Sequence, residues 1–365
     1  MPRAVMMHGD HRPLTVETYD LAAPKTHELR VRIAASGVCH SDLHAYEGGG
    51  AGMRLPIVLG HEASGVVEEI GEGVEGFSPG DHVVFCVFPQ CGTCRYCTSG
   101  LPTLCVAGQM TRTGTLLDGT TRMSMGGKPV GQMAGMGAWS EVTVVPDISV
   151  VKIDKAIPRP QAALLGCGVV TGFGAVTNVA QVKKGGTVAI IGCGGLGLSA
   201  VQAARISGAE RIIAVDNNPR KLEYAKTFGA TDFVDSSTGD QVARVHELTG
   251  VGVDAAFDFV GIPLTAEDAV RMTHIGGTAV LTGLADPTFH FERNDLVRGA
   301  RQIKGNLMGM GVFADEFPKL VRLYLDGDLM LDELVSKRVK LETVQEAFDA
   351  MIAGEVARSV IEINT

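Results

Sequence analysis

The sequence predicts an α/β chain in which a β-rich part is followed by a doubly wound parallel sheet. Three observations carry this. From Thr187 onward, short apolar strand-like runs alternate with helical segments, the pattern of right-handed β-α-β crossovers. Up to about residue 168 the chain reads instead as short alternating strands and glycine turns with few helical periods. Its 365 residues suit about two domains.

Composition narrows the classes. Hydrophobic residues at 45% and charged residues at 20% exclude a disordered chain. The 47 glycines follow no Gly-X-Y period, so they mark tight turns and close backbone approaches. A net charge of −9 with no basic run argues against a nucleic-acid partner. After Met1–Val5, the residues His8, Asp10, His11 and Arg12 interrupt any export-type apolar core, so the expectation is a cytoplasmic protein. Two uncharged runs, 161–182 and 185–204, are long enough to span a bilayer. Both are studded with glycine, and the expectation is buried interior with no membrane partner.

The first half carries the cysteine chemistry. Cys91, Cys94, Cys97 and Cys105 fall in one short segment with two-residue gaps between the first three. Four thiolates complete a tetrahedral zinc and leave no position for substrate, which describes a structural site. Disulfides need an oxidising compartment. An iron–sulfur cluster also takes four cysteines, but nothing else here suggests electron transfer. Cys39 follows an alternating run from Leu29 to Ile33, His61 sits in Gly60-His61-Glu62, and Cys167 in Leu165-Gly166-Cys167-Gly168. Each alone reads as ordinary packing; together they make a Cys2His set, which keeps a fourth position open and is catalytic in type. Cys86 lies in an apolar run and reads as core, Cys193 as a small residue in a glycine-rich turn, and the methionines at 123, 125, 133 and 136 as gap-fillers of an adaptable loop.

The second half reads as a nucleotide-binding sheet. Thr187–Ile191 runs directly into Gly192-Cys193-Gly194-Gly195-Leu196-Gly197, followed by the helical stretch Leu198–Ile206. Strand, glycine turn and helix in that order form a dinucleotide-binding fingerprint, with the pyrophosphate facing the helix N-terminus. A second strand, Arg211–Val215, ends at Asp216, whose carboxylate suits an adenosine ribose and repels a 2′-phosphate, so NAD is favoured over NADP. Arg220 and Lys221 follow on a helix start and keep NADP open as a minor reading. Further strands are expected at 232–235, 253–259, 277–283 and 302–307, with helices at 219–228, 240–248 and 264–273.

The order and spacing of Cys39, Gly60-His61-Glu62, the four-cysteine segment, Cys167 and the Gly192 fingerprint resemble the zinc-dependent alcohol dehydrogenases of the medium-chain dehydrogenase/reductase superfamily, over essentially the whole chain. The resemblance implies a GroES-like catalytic domain from residues 1–168, with a structural-zinc lobe about 86–110, and from residues 308–365. A Rossmann domain, 169–307, is inserted between these parts. It implies one catalytic zinc, held by Cys39, His61 and Cys167 in a cleft between domains, and one structural zinc per subunit. Glu62 resembles the family's carboxylate beneath the metal, and Asp42 the partner of the free His61 nitrogen. Ser41 and His44 stand where the family has a substrate-contacting hydroxyl and the end of a proton relay. His40, Thr171, Gly192, Gly194, Gly195, Leu196, Gly197, Asp216, Lys221 and Arg358 stand at coenzyme-contact positions. The stretch 106–139 resembles the longer loop of dimeric members, which implies a homodimer, a tetramer being the alternative. Val87, Met133 and Ala134 fall where substrate-pocket residues often lie, with core packing an equal account of each.

The implied reaction interconverts an alcohol with its aldehyde or ketone, hydride passing from a zinc-stabilised alkoxide to NAD. Two rivals share the fold and metals: a dehydrogenase of S-hydroxymethyl thiol adducts, and a nicotinoprotein that never releases NAD. A zinc-free reductase would lack the ligands found here, and a non-enzymatic sensor would be expected to have lost them.

Overall fold

The computed structural model describes residues 1–50, 52–284 and 288–364. The chain divides into two compact units, one formed by Met1–Cys167 with Gly311–Thr365, the other by Gly168–Met310.

The unit 168–310 is built on six strands in the order Asp232–Asp235, Arg211–Asp216, Thr187–Ile191, Val253–Asp258, Thr273–Leu281, Gln302–Gly305, every neighbouring pair parallel. The central strands read as apolar runs because helices cover both faces of such a sheet. Ile191, Ile213, Val215, Val253 and Ala256 belong to its buried core. The helix Pro219–Phe228 starts where Asn218 Oδ1 accepts the Arg220 N–H at 3.0 Å and ends at Gly229 with φ +109°. The fifth strand begins at Thr273, four residues before the sequence reading places it. Gly276, at φ +85°, lies inside the strand, and pairing to its neighbour slips between Val253 and Ala255. A glycine pair that reads as a strand start here accommodates an irregularity within the strand.

The other unit holds two sheets. One orders Thr15–Thr18, Arg3–Met7, Ile57–Val58, Lys128–Gln132, Met123–Met125 and Asp20–Leu21. The other orders Val150–Lys152, His82–Phe85, Ala63–Ile70, Glu28–Val38, Arg358–Glu362 and Val335–Val339, with Val142–Pro146 also paired to Glu28–Val38. The 11-residue strand Glu28–Val38 is the organising element: Ser36 pairs with Ala63 on one side, and Val38 with Ser359 on the other. One end of three neighbouring strands therefore lies directly beside Cys39, His61 and Glu62, and Arg358. Arg122, 3% exposed, pairs with Glu28 and Asp118 and ties the stretch after the lobe to this strand.

The methionine-bearing stretch differs from the loose loop read from sequence. Met123, Met133 and Met136 are buried, and Met123–Met125 pairs with Lys128–Gln132. The thioethers fill the core because adaptable side chains suit buried gaps as well as loops. The apolar helix Arg159–Ala180 passes the length and composition test for a membrane span, yet 89% of its most apolar window is buried within the protein.

Candidate active site

Cys39 ends the strand Glu28–Val38, His61 and Glu62 precede the strand Ala63–Ile70, and Cys167 follows the helix Arg159–Leu164, which packs on both strands. All four side chains are buried, and one ligand atom from each lies within 4.8 Å of the others. Asp42 organises the group. Its Oδ2 accepts the Cys39 N–H at 2.9 Å, while its Oδ1 accepts the Gly60 N–H at 3.1 Å and meets His61 Nδ1 at 2.9 Å. With Nδ1 protonated against this carboxylate, the lone pair of His61 falls on Nε2. That Nε2 is buried and makes no hydrogen bond among the described residues, as a metal-donating nitrogen should be.

Electrostatics agree. A hydrogen bond from Cys167 holds the Cys39 thiol well below its ordinary value against the cost of burial, with His61 and Arg358 adding to the effect. The same bond and burial push Cys167 up. Burial would lower His61, but Asp42 and Cys39 outweigh it and raise it well above the usual histidine range. A divalent cation binding here takes both thiols as thiolates and His61 as the neutral imidazole. Two soft sulfurs and an imidazole nitrogen fit zinc, with a Glu62 carboxylate oxygen within 4.8 Å of all three donor atoms.

Beneath the donors, the Arg358 guanidinium binds Glu62 Oε1. Burial pushes the Glu62 carboxyl up and Arg358 opposes it. Arg358 itself is raised, because Glu62 and the two thiols outweigh its desolvation. The sequence reading gives Arg358 as a coenzyme contact; the structure places it 6% exposed against Glu62. Nothing local announces this pairing, since the two residues lie 296 positions apart. Ser41 and His44 are exposed on the short helix His40–His44, with Ser41 Oγ 3.8 Å from Cys39 Sγ, and His40 is exposed beside them. Met133 packs into the core with Leu43, Val58 and Trp139, whereas Val87 and Ala134 are half-buried.

Cys91, Cys94, Cys97 and Cys105 form the second group, again within 4.8 Å of one another. Cys94 Sγ lies 3.7 Å from Cys97 Sγ and 3.8 Å from Cys105 Sγ. Sulfurs about 2.3 Å from one tetrahedral zinc sit about 3.8 Å apart, so these thiols already match that shape. Backbone N–H groups of Thr93 and Cys94 bring Cys91 down to about 6, while burial pushes Cys97 up to about 12.

In the other unit, Gly192 turns at φ +90°, and Gly194 caps the helix Gly195–Ile206. A β-carbon on Gly197 would overlap the Gly192 carbonyl, so only glycine lets this helix meet the strand so closely. Asp216 ends the second strand, where Oδ2 accepts the Cys193 N–H at 2.8 Å and Oδ1 the Asn218 N–H at 2.9 Å. Those bonds aim the carboxylate at the glycine turn. Leu196 lies partly exposed in that turn, and Lys221 acts electrostatically on Cys193. Thr171 is buried, its carbonyl accepting from Asn306 Nδ2 at 3.1 Å.

Residues 25–155 match the alcohol dehydrogenase GroES-like domain, and residues 195–326 the zinc-binding dehydrogenase domain. The chain is 40% identical to the S-(hydroxymethyl)glutathione dehydrogenase of Photobacterium damsela subsp. piscicida, over 98% of this chain and 99% of that protein. It is also 40% identical to the alcohol dehydrogenase class-3 of Drosophila melanogaster, over 96% and 94%. The crystal structure of benzyl alcohol dehydrogenase from Acinetobacter calcoaceticus matches with TM-score 0.94 and 31% identity, covering 99% of each chain. Likeness that spans nearly every residue, over a chain with two such thiol clusters, places this protein in the zinc-dependent alcohol dehydrogenase family of NAD-dependent oxidoreductases.

Proposed function

We propose that this dehydrogenase oxidises a bulky, uncharged primary or secondary alcohol, with Cys39, His61 and Cys167 holding the catalytic zinc. The buried Cys2His donor set with an unbonded Nε2 carries the reading. When bound, zinc supplies a Lewis acid able to lower the pKa of a coordinated hydroxyl, as it does water's from about 15.7 to about 7, and NAD accepts the hydride. Asp42 fixes the imidazole so that Nε2 faces the ion. Ser41 would accept the substrate hydroxyl proton as it gives up its own, and His44, exposed on the same short helix, would take that proton and release it to solvent. Glu62 with Arg358 balances charge below the site.

The four-cysteine group holds a second, structural zinc. Residues 1–168 and 308–365 serve as the catalytic domain and 169–307 as the coenzyme domain. There Gly192, Gly194, Gly195, Leu196 and Gly197 receive the pyrophosphate and Asp216 the adenosine ribose. His40, Thr171 and Lys221 complete the coenzyme contacts. We assign the protein to the cytoplasm as a homodimer.

Val87 and Ala134, the residues this reading puts at the substrate, are small and half-buried, and Ala134 also packs on the core of the sheet that holds Glu28–Val38. A second reading, an S-hydroxymethyl thiol adduct, is favoured by the 40%-identical relative named for that reaction. A panel of alcohols, followed at the reduced-nicotinamide band with and without formaldehyde plus glutathione, separates them. Turnover of aromatic or branched alcohols without thiol supports the first reading. Activity only on the adduct overturns it.

A further inference from the structure

We infer that Gly37 is a positioning residue for the Cys39–His61–Cys167 site, its missing side chain forming the recess that keeps the Glu62 carboxylate off the ligand atoms. A β-carbon built on Gly37 would overlap Glu62 Oε2 and would lie 3.1 Å from the Cβ and Cδ of Glu62. Glycine in a strand interior weakens the strand, and one reason to keep it is a close approach of this kind.

The backbone at 37 cannot yield. Its N–H donates to the Glu62 carbonyl at 2.8 Å, its carbonyl accepts from the Trp139 indole N–H at 3.3 Å, and it pairs with Val360 in the sheet. Trp139 is fully buried. The Glu62 backbone is held as firmly, since its carbonyl also accepts from Ser36 Oγ at 2.8 Å. A methyl group at 37 therefore displaces the Glu62 carboxylate first, the milder 3.1 Å contact with Glu62 Cβ being left to small shifts. The carboxylate already lies within 4.8 Å of the Cys39, His61 and Cys167 donor atoms, so displacement brings an anionic oxygen into competition for the open position or pulls Arg358 out of place. Gly37 precedes Cys39 by two residues, yet its effect runs through the side chain of Glu62, which leads into the neighbouring strand Ala63–Ile70.

This rests on zinc binding at that site, and the test reads metal affinity, not turnover. Zinc-loaded Gly37→Ala, Glu62→Ala and Gly37→Ala/Glu62→Ala are titrated with a chromophoric chelator that competes for zinc, and NAD affinity is measured on the same preparations. We expect Gly37→Ala to weaken or tighten the catalytic zinc by at least about tenfold, with the four-cysteine zinc and NAD affinity unchanged. The double variant should match Glu62→Ala within about twofold, the signature of a coupled pair. Wild-type affinity in Gly37→Ala overturns the inference, as does a double variant displaced from Glu62→Ala as far as Gly37→Ala is from wild type. Should Gly37→Ala fail to fold, rescue by Glu62→Ala supports the inference and failure of both overturns it. Wild-type protein that binds a single zinc refutes the functional reading itself.

Discussion

Asp42→Asn should cost the catalytic site about 10- to 100-fold in zinc affinity, the usual loss when the hydrogen-bond partner of a ligating histidine is altered. In free energy that is about 1.4–2.8 kcal/mol. Asp42 accepts from three donors on two segments: the Cys39 N–H at 2.9 Å, the Gly60 N–H at 3.1 Å and His61 Nδ1 at 2.9 Å. Asparagine has the same shape but one acceptor oxygen. If that oxygen stays on His61 and Gly60, the amide NH2 faces the Cys39 N–H and one buried donor loses its acceptor. Such a loss costs about 1–3 kcal/mol. The imidazole also loses a full negative charge behind Nδ1, so Nε2 becomes a weaker donor. Both effects converge on two ligands of one ion. The assay is release of zinc to a chromophoric chelator, which resolves two classes of site, with circular dichroism to confirm the fold. The four-cysteine class should be unchanged, and NAD affinity should stay within about twofold. An unchanged catalytic class, or equal weakening of both classes, would refute the assignment of Asp42 as the element that orders this site.

Cys97→Ser should remove one zinc per chain and lower folding yield and thermal stability, since the lobe relies on its ion; a stable, inactive protein retaining both ions contradicts a structural role. Asp216→Ser should weaken NAD by about tenfold or more and narrow its advantage over NADP, seen by fluorescence titration of both coenzymes; unchanged discrimination places the ribose elsewhere. His44→Gln should lower kcat by about 100-fold, with coenzyme affinity preserved, and an unaltered kcat removes His44 from the relay. His274 donates to Asp254 at 3.0 Å and is raised chiefly by that bond. A raised folded value means the stabilisation is present below about pH 6.5 and fades as pH rises beyond it. In urea titrations His274→Gln should therefore lose stability, by less than about 1 kcal/mol, at acid pH only; an equal loss at pH 9 would mean the ring acts by packing.

Much of this molecule is local and therefore legible in the chain. Buried parallel strands must be apolar throughout, so Thr187–Ile191 and Arg211–Asp216 could be read with their glycine turn and terminal acid in place. Four cysteines within one short segment converge with little help from the rest of the fold, and the Cys94 sulfur lies 3.7 and 3.8 Å from those of Cys97 and Cys105, as the spacing implies. Even the pairing of Asp42 with His61 was legible through family resemblance. Strand ends were less so: Gly276 and Gly277 look like a boundary but lie inside a strand, because backbone freedom serves a bulge as readily as a turn.

What only the tertiary structure decided is which distant residues share a buried space. Strand pairing beside Glu28–Val38 brings the ends of three strands to one place, and so sets Arg358 against Glu62 across 296 residues. No periodicity encodes that contact. A carboxylate buried beside thiols needs a buried cation, but the chain holds many arginines and only the sheet order selects one. The same order makes Gly37, one glycine among 47 in the sequence, the residue whose missing methyl leaves room for the carboxylate.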